Sequence, residues 1–322
     1  MAADFNTKCP ICGIDGVLVK RLASGFIRDS LTAYYQERFP DDLRVSDYEI
    51  LRCERCSLEY ASPRKAGDAD FYSWISVREG YYPGNRWEWP VVIEEVGKWD
   101  LPNLSVLEVG CGSGSFLRLL GKALPDVKAI GLDPTEGAIR ECRKSGLEAY
   151  SETLDQYRAN SQHERKEFDF ICAFHCLEHV TEPKELLSSM IRLTHSKSRI
   201  FLSTPYSPMS FETGWYDPLN HPPHHVTRWK VSAYEALTSA VGWHVDLIMP
   251  EAGGLLSRAL SAIDLAARGP NSGAHHRLLT ALAHPYKAAR EIARQANREK
   301  IKGHAAADVV LTRFQNAAAT AT

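Results

Sequence analysis

Two pairs of cysteines, one glycine-rich turn and one proline-stiffened run of histidines are the residues of this chain whose types and spacing could do chemistry. Cys9-Pro-Ile-Cys12-Gly13 and, far downstream, Cys53-Glu-Arg-Cys56 each hold two thiols separated by two residues. That spacing lets both sulfurs of a knuckle reach one tetrahedral ion, and two knuckles complete a four-sulfur site. Gly13 suits the tight turn because glycine tolerates positive φ. Ligand type and spacing favour zinc over a redox pair. Four thiolates leave no open position for a substrate, so the ion reads as structural, holding together a segment too small to fold alone. A ribbon that grips RNA is the alternative, although residues 1–66 lack a dense Lys/Arg run with interleaved aromatics. The loop between the pairs exceeds the usual ~15–20 residues. It must carry structure of its own, and Ser30–Phe39 predicts a short helix there.

The second constellation begins with the apolar run Leu104–Val109, continues through Gly110-Cys-Gly112-Ser-Gly114, and opens the helical pattern Phe116–Leu124. A buried strand turning through glycines into a helix brings backbone N–H groups close to a ligand. A dinucleotide fingerprint would place its third glycine at 115, where this chain has serine. The next strand, Val127–Leu132, ends in Asp133, a carboxylate placed to accept both hydroxyls of a ribose. A nucleotide-free structural turn is the bland alternative.

The third is Asn220-His221-Pro-Pro-His224-His225-Val-Thr-Arg228-Trp229, in a long loop after a strand at Arg199–Ser203. In α/β folds such a loop lies at the carboxyl edge of the sheet, where ligands bind. Imidazole takes protons near neutral pH, which makes His224 and His225 the first candidates for a general base and His179 the second. The same residues could instead be a rigid loop with satisfied histidines. A metal site from His221, His224 and His225 is a further alternative, whose convergence Pro222 and Pro223 do not guarantee.

The elements that must position these groups alternate. Glu136–Ser145 reads as helix, Leu147–Tyr150 as strand, Phe168–Phe174 as buried strand, Glu182–Thr194 as helix, Trp229–Ala240 as helix and Trp243–Met249 as strand. Alternation of this kind predicts an α/β fold, a parallel sheet with helices on both faces. The division expected along the chain is a zinc-ribbon-like module at 1–66, an aromatic linker or lid at 67–103, a Rossmann-like core at 104–250, a helical insertion at 251–302, a closing strand at 303–315 and a disordered tail at 316–322. Phe71, Tyr72, Trp74, Tyr81, Tyr82, Trp87 and Trp89 either cover the pocket or seam the cysteine module to the core. In the insertion, Leu256, Ala259, Leu260, Ile263 and Ala267 share one helical face, and a second helical stretch, 276–302, ends in basic residues. It reads as a pocket cover or a homodimer surface. A basic face touching a membrane or an anionic acceptor is the other reading.

Composition sets outer limits. With 44% hydrophobic and 24% charged residues the chain is an ordinary globular protein. A formal net charge of −2 supplies no global field for nucleic acid. No apolar run approaches the ~18 residues of a membrane span, and the first residues lack the basic-then-apolar layout of a secretory signal. The expected compartment is the reducing cytoplasm, where paired cysteines bind metal more often than each other.

Val-Leu-Glu-Val-Gly-Cys-Gly-Ser-Gly at 106–114, Gly-Leu-Asp at 131–133, Phe-Asp-Phe-Ile at 168–171 and Leu-Glu-His-Val at 177–180 together resemble the class I S-adenosylmethionine-dependent methyltransferases, in the branch that includes ubiquinone-biosynthesis-type O-methyltransferases. The two cysteine knuckles ahead of such a domain also resemble those of sugar C-methyltransferases, whose further C-terminal Rossmann-like domain residues 251–322 do not resemble. The resemblance implies S-adenosylmethionine as cofactor, with Glu108, Gly110, Gly112 and Gly114 facing its methionine portion, Glu152 at the adenine amino group, and Phe174 and His175 beside it. Glu152 could equally be an exposed acid at a helix start. It implies methyl transfer to a small molecule or glycan. A hydroxyl acceptor needs its proton removed, the task suited to His224, His225 or His179. Two other readings stand beside it: an RNA methyltransferase that uses the zinc module as its grip, and a cofactor fold kept for binding without catalysis.

Overall fold

A computed structural model describes residues 6–78, 81–99, 101–161, 163, 167–209, 211–212, 216–249, 255, 259–263, 281–302 and 308–316. The chain begins with β1 (Val17–Leu22), α1 (Ser24–Tyr35), β2 (Tyr48–Arg52), β3 (Glu59–Ser62), α2 (Ala69–Ser76) and α3 (Glu88–Gly97). The alternating part follows: β4 (Ser105–Val109), α4 (Ser115–Ala123), β5 (Lys128–Leu132), α5 (Glu136–Lys144), β6 (Glu148–Tyr150), α6 (Leu154–Ala159), β7 (Phe168–Phe174), α7 (Pro183–Ile191) and β8 (Thr194–Pro205). It closes with β9 (Thr227–Arg228), α8 (Val231–Ser239), β10 (Trp243–Ile248), α9 (Pro285–Lys302) and β11 (Val309–Asn316).

Seven strands form one sheet in the order β10-β11-β8-β7-β4-β5-β6. Strands β4 to β8 pair in parallel, whereas β11 runs antiparallel to both β8 and β10. Central β7 is apolar on both faces, Phe168 and Phe170–Phe174 all being buried, as a strand covered by helices on two sides must be. Its one acid, Asp169, ties strand starts together: it accepts from Ser105 N and Oγ at 2.8 Å and pairs with His195 Nε2 at 3.0 Å.

The second sheet, β1-β2-β3-β9, is antiparallel and lies at the cysteine-bearing end. Its last strand comes from the histidine loop, starting 165 positions after β3 ends (227 − 62), so two distant segments share one ladder: Tyr60 pairs with Thr227 and Glu59 with Arg228. This pairing explains why α8 starts at Val231 rather than at the expected Trp229, because the preceding residues are extended in the ladder. Trp229 is fully buried instead, stacked near Tyr234 with ring centroids 4.8 Å apart, and donates through Nε1 to Thr227 Oγ1 at 3.0 Å. Cys9, Cys53, Cys56 and Tyr60 pack into the same core as Trp229, Tyr234 and Ile200, so the cysteine end and the large sheet are fused by apolar burial.

Helix α1 also departs from expectation, running Ser24–Tyr35 rather than 30–39. Ile27 and Leu31 face inward, Ser24 N donates to Asp47 Oδ1 at 2.7 Å, and Gln36 in a left-handed conformation ends the helix before Phe39. In the insertion, Ala259 and Ile263 are buried as their shared face predicts; Leu256, Ala267 and residues 264–280 lie outside the described residues, as does 317–322. No helix among the described residues is long and apolar enough to cross a membrane.

Arg228 fastens the long loop to the small sheet. Its guanidinium reaches Glu59 at 3.1 Å, Glu212 at 2.9 Å, His221 Nε2 at 2.9 Å and the Asn220 carbonyl at 3.2 Å, all nearly out of solvent. Breaking a buried pair strands the remaining charges, at a cost of ~3–5 kcal/mol. Arg228→Ala is therefore expected to lower stability in urea unfolding by that order, whereas Arg38→Ala, which cuts an exposed pair with Asp41, leaves it within error. Equal midpoints for the two variants would contradict this role.

Candidate functional site

The two cysteine knuckles fold alike. Cys9 N donates to the Ile14 carbonyl and Gly13 N to the Cys9 carbonyl; Cys53 N donates to the Leu58 carbonyl and Ser57 N to the Cys53 carbonyl, each at 2.8–2.9 Å. Ser57 takes the left-handed conformation in the second knuckle that Gly13 takes in the first, which its residue type did not advertise. The four thiols offer sulfurs within 4.8 Å of one another, and Cys9 and Cys56 stand 3.7 Å apart. Zinc–sulfur bonds of ~2.3 Å put tetrahedral sulfurs about 3.8 Å apart, so the donor set fits such an ion. A hydrogen bond from Cys56 pulls the Cys9 thiol down to about 5, and burial pushes Cys12 up to about 11. All eight cysteines are free.

At the end of β4 the glycines carry the turn: Gly110, Gly112 and Gly114 have φ of +76°, +52° and +77°. A side chain at Gly112 would stand 2.6 Å from the Tyr82 ring, and one at Gly114 2.9 Å from Cys142 Sγ. Asp133 is buried at the end of β5, its carboxylate accepting from Gly112 N at 2.9 Å and Thr135 N at 2.8 Å. A carboxylate has about four acceptor sites, so two remain for hydroxyl donors. Glu108 is buried with Oε2 lacking any partner, and burial raises its pKa well above the usual carboxylate range, with Cys142 and Asp133 adding to the rise. An orphaned acid under a glycine cradle is what a bound cationic amino acid would satisfy. Glu152 already has partners, Asn160 Nδ2 and His163 Nε2, both at 3.0 Å. Phe174 packs on Phe116 at 4.8 Å, inside the core cluster beneath α3 and α4.

His175, next along, is held at φ +50°, a conformation few non-glycine residues adopt and one that clusters at functional sites. Its Nε2 meets Glu88 Oε1 at 3.0 Å and its Nδ1 lies 3.3 Å from Glu178 Oε1. Burial disfavours the imidazolium, but the bonds to Glu178 and Glu88 outweigh it and raise the His175 pKa. Arg86 sits in the field of Glu88, Glu178 and Glu108, largely desolvated. Arg86, Glu88 and Glu178 escaped the sequence reading; Glu178 lay inside the noticed Leu-Glu-His-Val, whereas Arg86 and Glu88 precede the first large-sheet strand with no motif around them.

The histidines do gather, though not in the set the loop suggested. His221 turns away: its Nδ1 donates to the Asp217 carbonyl at 2.8 Å and its Nε2 accepts from Arg228. His179, at the end of a short 3-10 turn (Leu177–His179), takes its place beside His224 and His225, with ring centroids 4.5 and 4.7 Å away. Burial, reinforced by neighbouring imidazoles, holds His224 and His225 well below the usual histidine range, and burial lowers His179 as well. Tyr72 and Tyr81 of the aromatic segment close over this group, Tyr81 lying 5.8 Å from His224 and 4.9 Å from Tyr82, ring to ring. Tyr82 covers Gly112, so one run of edge-to-face aromatic contacts spans the glycine turn and the histidines.

A seven-stranded sheet with one reversed strand, a glycine turn after β4 and an acid just past β5 define a class I methyltransferase domain of the S-adenosylmethionine-dependent kind. The chain belongs to the methyltransferase domain family, whose profile matches residues 86–247, half of its length. It is 31% identical over 121 residues to the ubiquinone biosynthesis O-methyltransferase of Xanthomonas oryzae pv. oryzae, covering 36% of this chain and 49% of that protein. To the Hahella chejuensis enzyme of the same description it is 29% identical over 109 residues, covering 32% and 44%. The chain thus spans about half the length of the curated relatives it matches. A solved SAM dependent methyltransferase from Archaeoglobus fulgidus superposes with a TM-score of 0.46 at 17% identity, over 71% of this chain and 94% of that one.

Gly112→Ala tests the turn. A left-handed backbone costs an L-residue ~1–2 kcal/mol, and the new methyl meets Tyr82 besides. The expected outcome is a loss of that order or more in a denaturant melt. Tyr82→Ala in the same chain should restore the contact part and leave the backbone part; no restoration would place the whole cost in the backbone.

Proposed function

We propose that this protein transfers a methyl group from S-adenosylmethionine to a hydroxyl of a small-molecule or glycan acceptor. The observation that carries the reading is the continuity of the glycine turn with the histidine cluster: Tyr82 on Gly112, Tyr81 on Tyr82 and His224 under Tyr81, with Cys176, three residues before His179, 3.3 Å from where a side chain of Gly110 would stand. The relatives' description as O-methyltransferases supports oxygen as the atom methylated.

Bound S-adenosylmethionine supplies a methyl group on a sulfonium, activated for in-line displacement. Glu108 and the glycines would hold its methionine portion, Asp133 the ribose and Glu152 the adenine, with Phe174 and His175 alongside. Tyr72, Tyr81 and Tyr82 exclude water from the acceptor, where positioning in a dry pocket does much of the work. The acceptor hydroxyl would sit at His179, His224 and His225 and lose its proton there. The four cysteines would hold one structural zinc, remote from that chemistry, on the strength of their matched knuckles and donor spacing.

Calorimetry with S-adenosylmethionine is the first test. Asp133→Ala should weaken binding by about 10–100-fold, since charge-assisted hydrogen bonds contribute ~1.5–3 kcal/mol each. Unchanged affinity would mean the ribose lies elsewhere, and no binding by the wild type would remove the reading. With a panel of phenols, polyols and sugars as acceptors, His225→Ala should slow single-turnover methyl transfer ~100- to 10,000-fold while cofactor affinity stays unchanged. Wild-type rates in His179→Ala, His224→Ala and His225→Ala alike would leave the histidines as loop architecture.

A further inference from the structure

His179, His224 and His225 bring three ring nitrogens together. His179 Nδ1 faces the His224 carbonyl at 2.8 Å, and His224 Nδ1 faces the Leu219 carbonyl at 2.8 Å. His225 Nδ1 faces Asn220 Oδ1 at 2.9 Å, and the other end of that amide, Nδ2, donates to Glu212. An oxygen of this kind can only accept, so in each ring Nδ1 carries the proton and Nε2 keeps its lone pair. One ring nitrogen from each of the three lies within 4.8 Å of the others. The His224 and His225 rings are stacked 4.6 Å apart at 19°, and His179 stands edge-on to both. The Tyr81 hydroxyl is 3.4 Å from His224 Nε2, too long for a firm hydrogen bond. Glu178 joins this group: it is buried, its Oε2 has no hydrogen-bond partner, and its Oε1, 3.3 Å from His175 Nδ1, lies 3.9 Å from His225 Nε2.

Buried acceptors that converge on one another repel unless a cation or a donor stands among them. We infer that His179, His224 and His225 form a binding site for a divalent transition-metal ion, with Glu178 as its anionic neighbour. Imidazole suits zinc and its transition-metal relatives. A ligating histidine characteristically gives its other N–H to a carbonyl or carboxylate, as all three do to an oxygen here. Three protein ligands leave a position open, the arrangement of zinc sites that also take a substrate oxygen or water. Metal–nitrogen bonds of ~2.0–2.1 Å need nitrogens about 3.4 Å apart, so no pair would have to close by more than roughly 1.4 Å on loading. The site is separate from the four cysteines, whose four sulfurs complete one ion's coordination. What the ion does there rests on the proposed methyl transfer: it would bind the acceptor oxygen and make its hydroxyl more acidic, and, with the three imidazoles ligating, the released proton would pass to the Glu178 carboxylate instead of to a histidine. Its binding does not rest on that reading.

The full chain, purified from metal-depleted medium, loaded with zinc and desalted, is expected to hold two ions, with one in His179→Ala. His225→Gln serves the same purpose should His179→Ala fail to fold, circular dichroism deciding which variant is used. Loading with cobalt identifies the sites. A thiolate-to-cobalt charge-transfer band should persist in the variants, whereas ligand-field absorption free of that band should accompany the second equivalent and vanish in them. One ion per wild-type chain with a purely thiolate spectrum, or equal metal in wild type and folded variant, overturns the proposal. Two ions with no S-adenosylmethionine binding would sink the methyl-transfer reading and keep the site; cofactor binding with one ion would do the reverse.

Discussion

The whole placement of the histidine loop hangs on one buried cation. Arg228 stands between Glu59 of the small sheet and Glu212, His221 and Asn220 of the long loop, and a guanidinium removed from water must be held on all its edges. Its fixed fork therefore dictates how the loop folds back. The β3–β9 ladder continues the same constraint, with Ala61 N donating to the Val226 carbonyl and Val226 N to the Glu178 carbonyl. His224 and His225, adjacent to this ladder, are thereby set against the end of β7.

The cysteine end takes on a second meaning in this light. Most of β1 is exposed, and the small sheet has little core beyond what α1, α2 and the loop residue Val226 provide. Its knuckles contact the large domain directly: Ser232 Oγ donates to the Cys56 carbonyl at 2.8 Å, and Cys53, Cys56 and Tyr60 share the core of Trp229. The four thiols thus brace the platform on which the histidine loop is built. The cysteine end thereby governs the geometry of the histidine loop, because the ladder and the core pass through both.

On the other side of the histidines the electrostatics change character. His175, in its left-handed conformation, sits between Glu88 and Glu178, while Arg86 lies in the field of those acids and Glu108. These charges share a desolvated region, and the imidazoles of His224 and His225, held below the usual histidine range by burial, begin where His225 Nε2 lies 3.9 Å from Glu178 Oε1. Such a division, charged toward the glycine turn and neutral toward the loop, suits a cofactor with a zwitterionic tail and an acceptor that must be desolvated.

How much of this was legible in the sequence follows from the range of the interactions. Local chemistry was readable: Phe168–Phe174 as a buried strand, three glycines with positive φ because the turn leaves no room for side chains, Asp133 at the end of β5, and two knuckles whose ligand spacing is set within four residues. These depend on neighbours a few positions apart, so the order of residue types suffices. What the sequence could not decide is which distant residues meet. Nothing near Thr227 announces a strand, for β9 exists only because Glu59 and Tyr60 present an open edge. Nothing near His221 says that it turns to Arg228 while His179, 45 positions before His224, takes its place in the cluster. Arg86, Glu88 and Glu178 look like ordinary surface charges until burial removes their water and makes each depend on the others. Periodicity and turn chemistry act along the chain, and so the sequence by itself determined the elements and the cofactor turn. Desolvation and long-range pairing act across the chain, and only the tertiary structure could choose which histidines and buried charges meet.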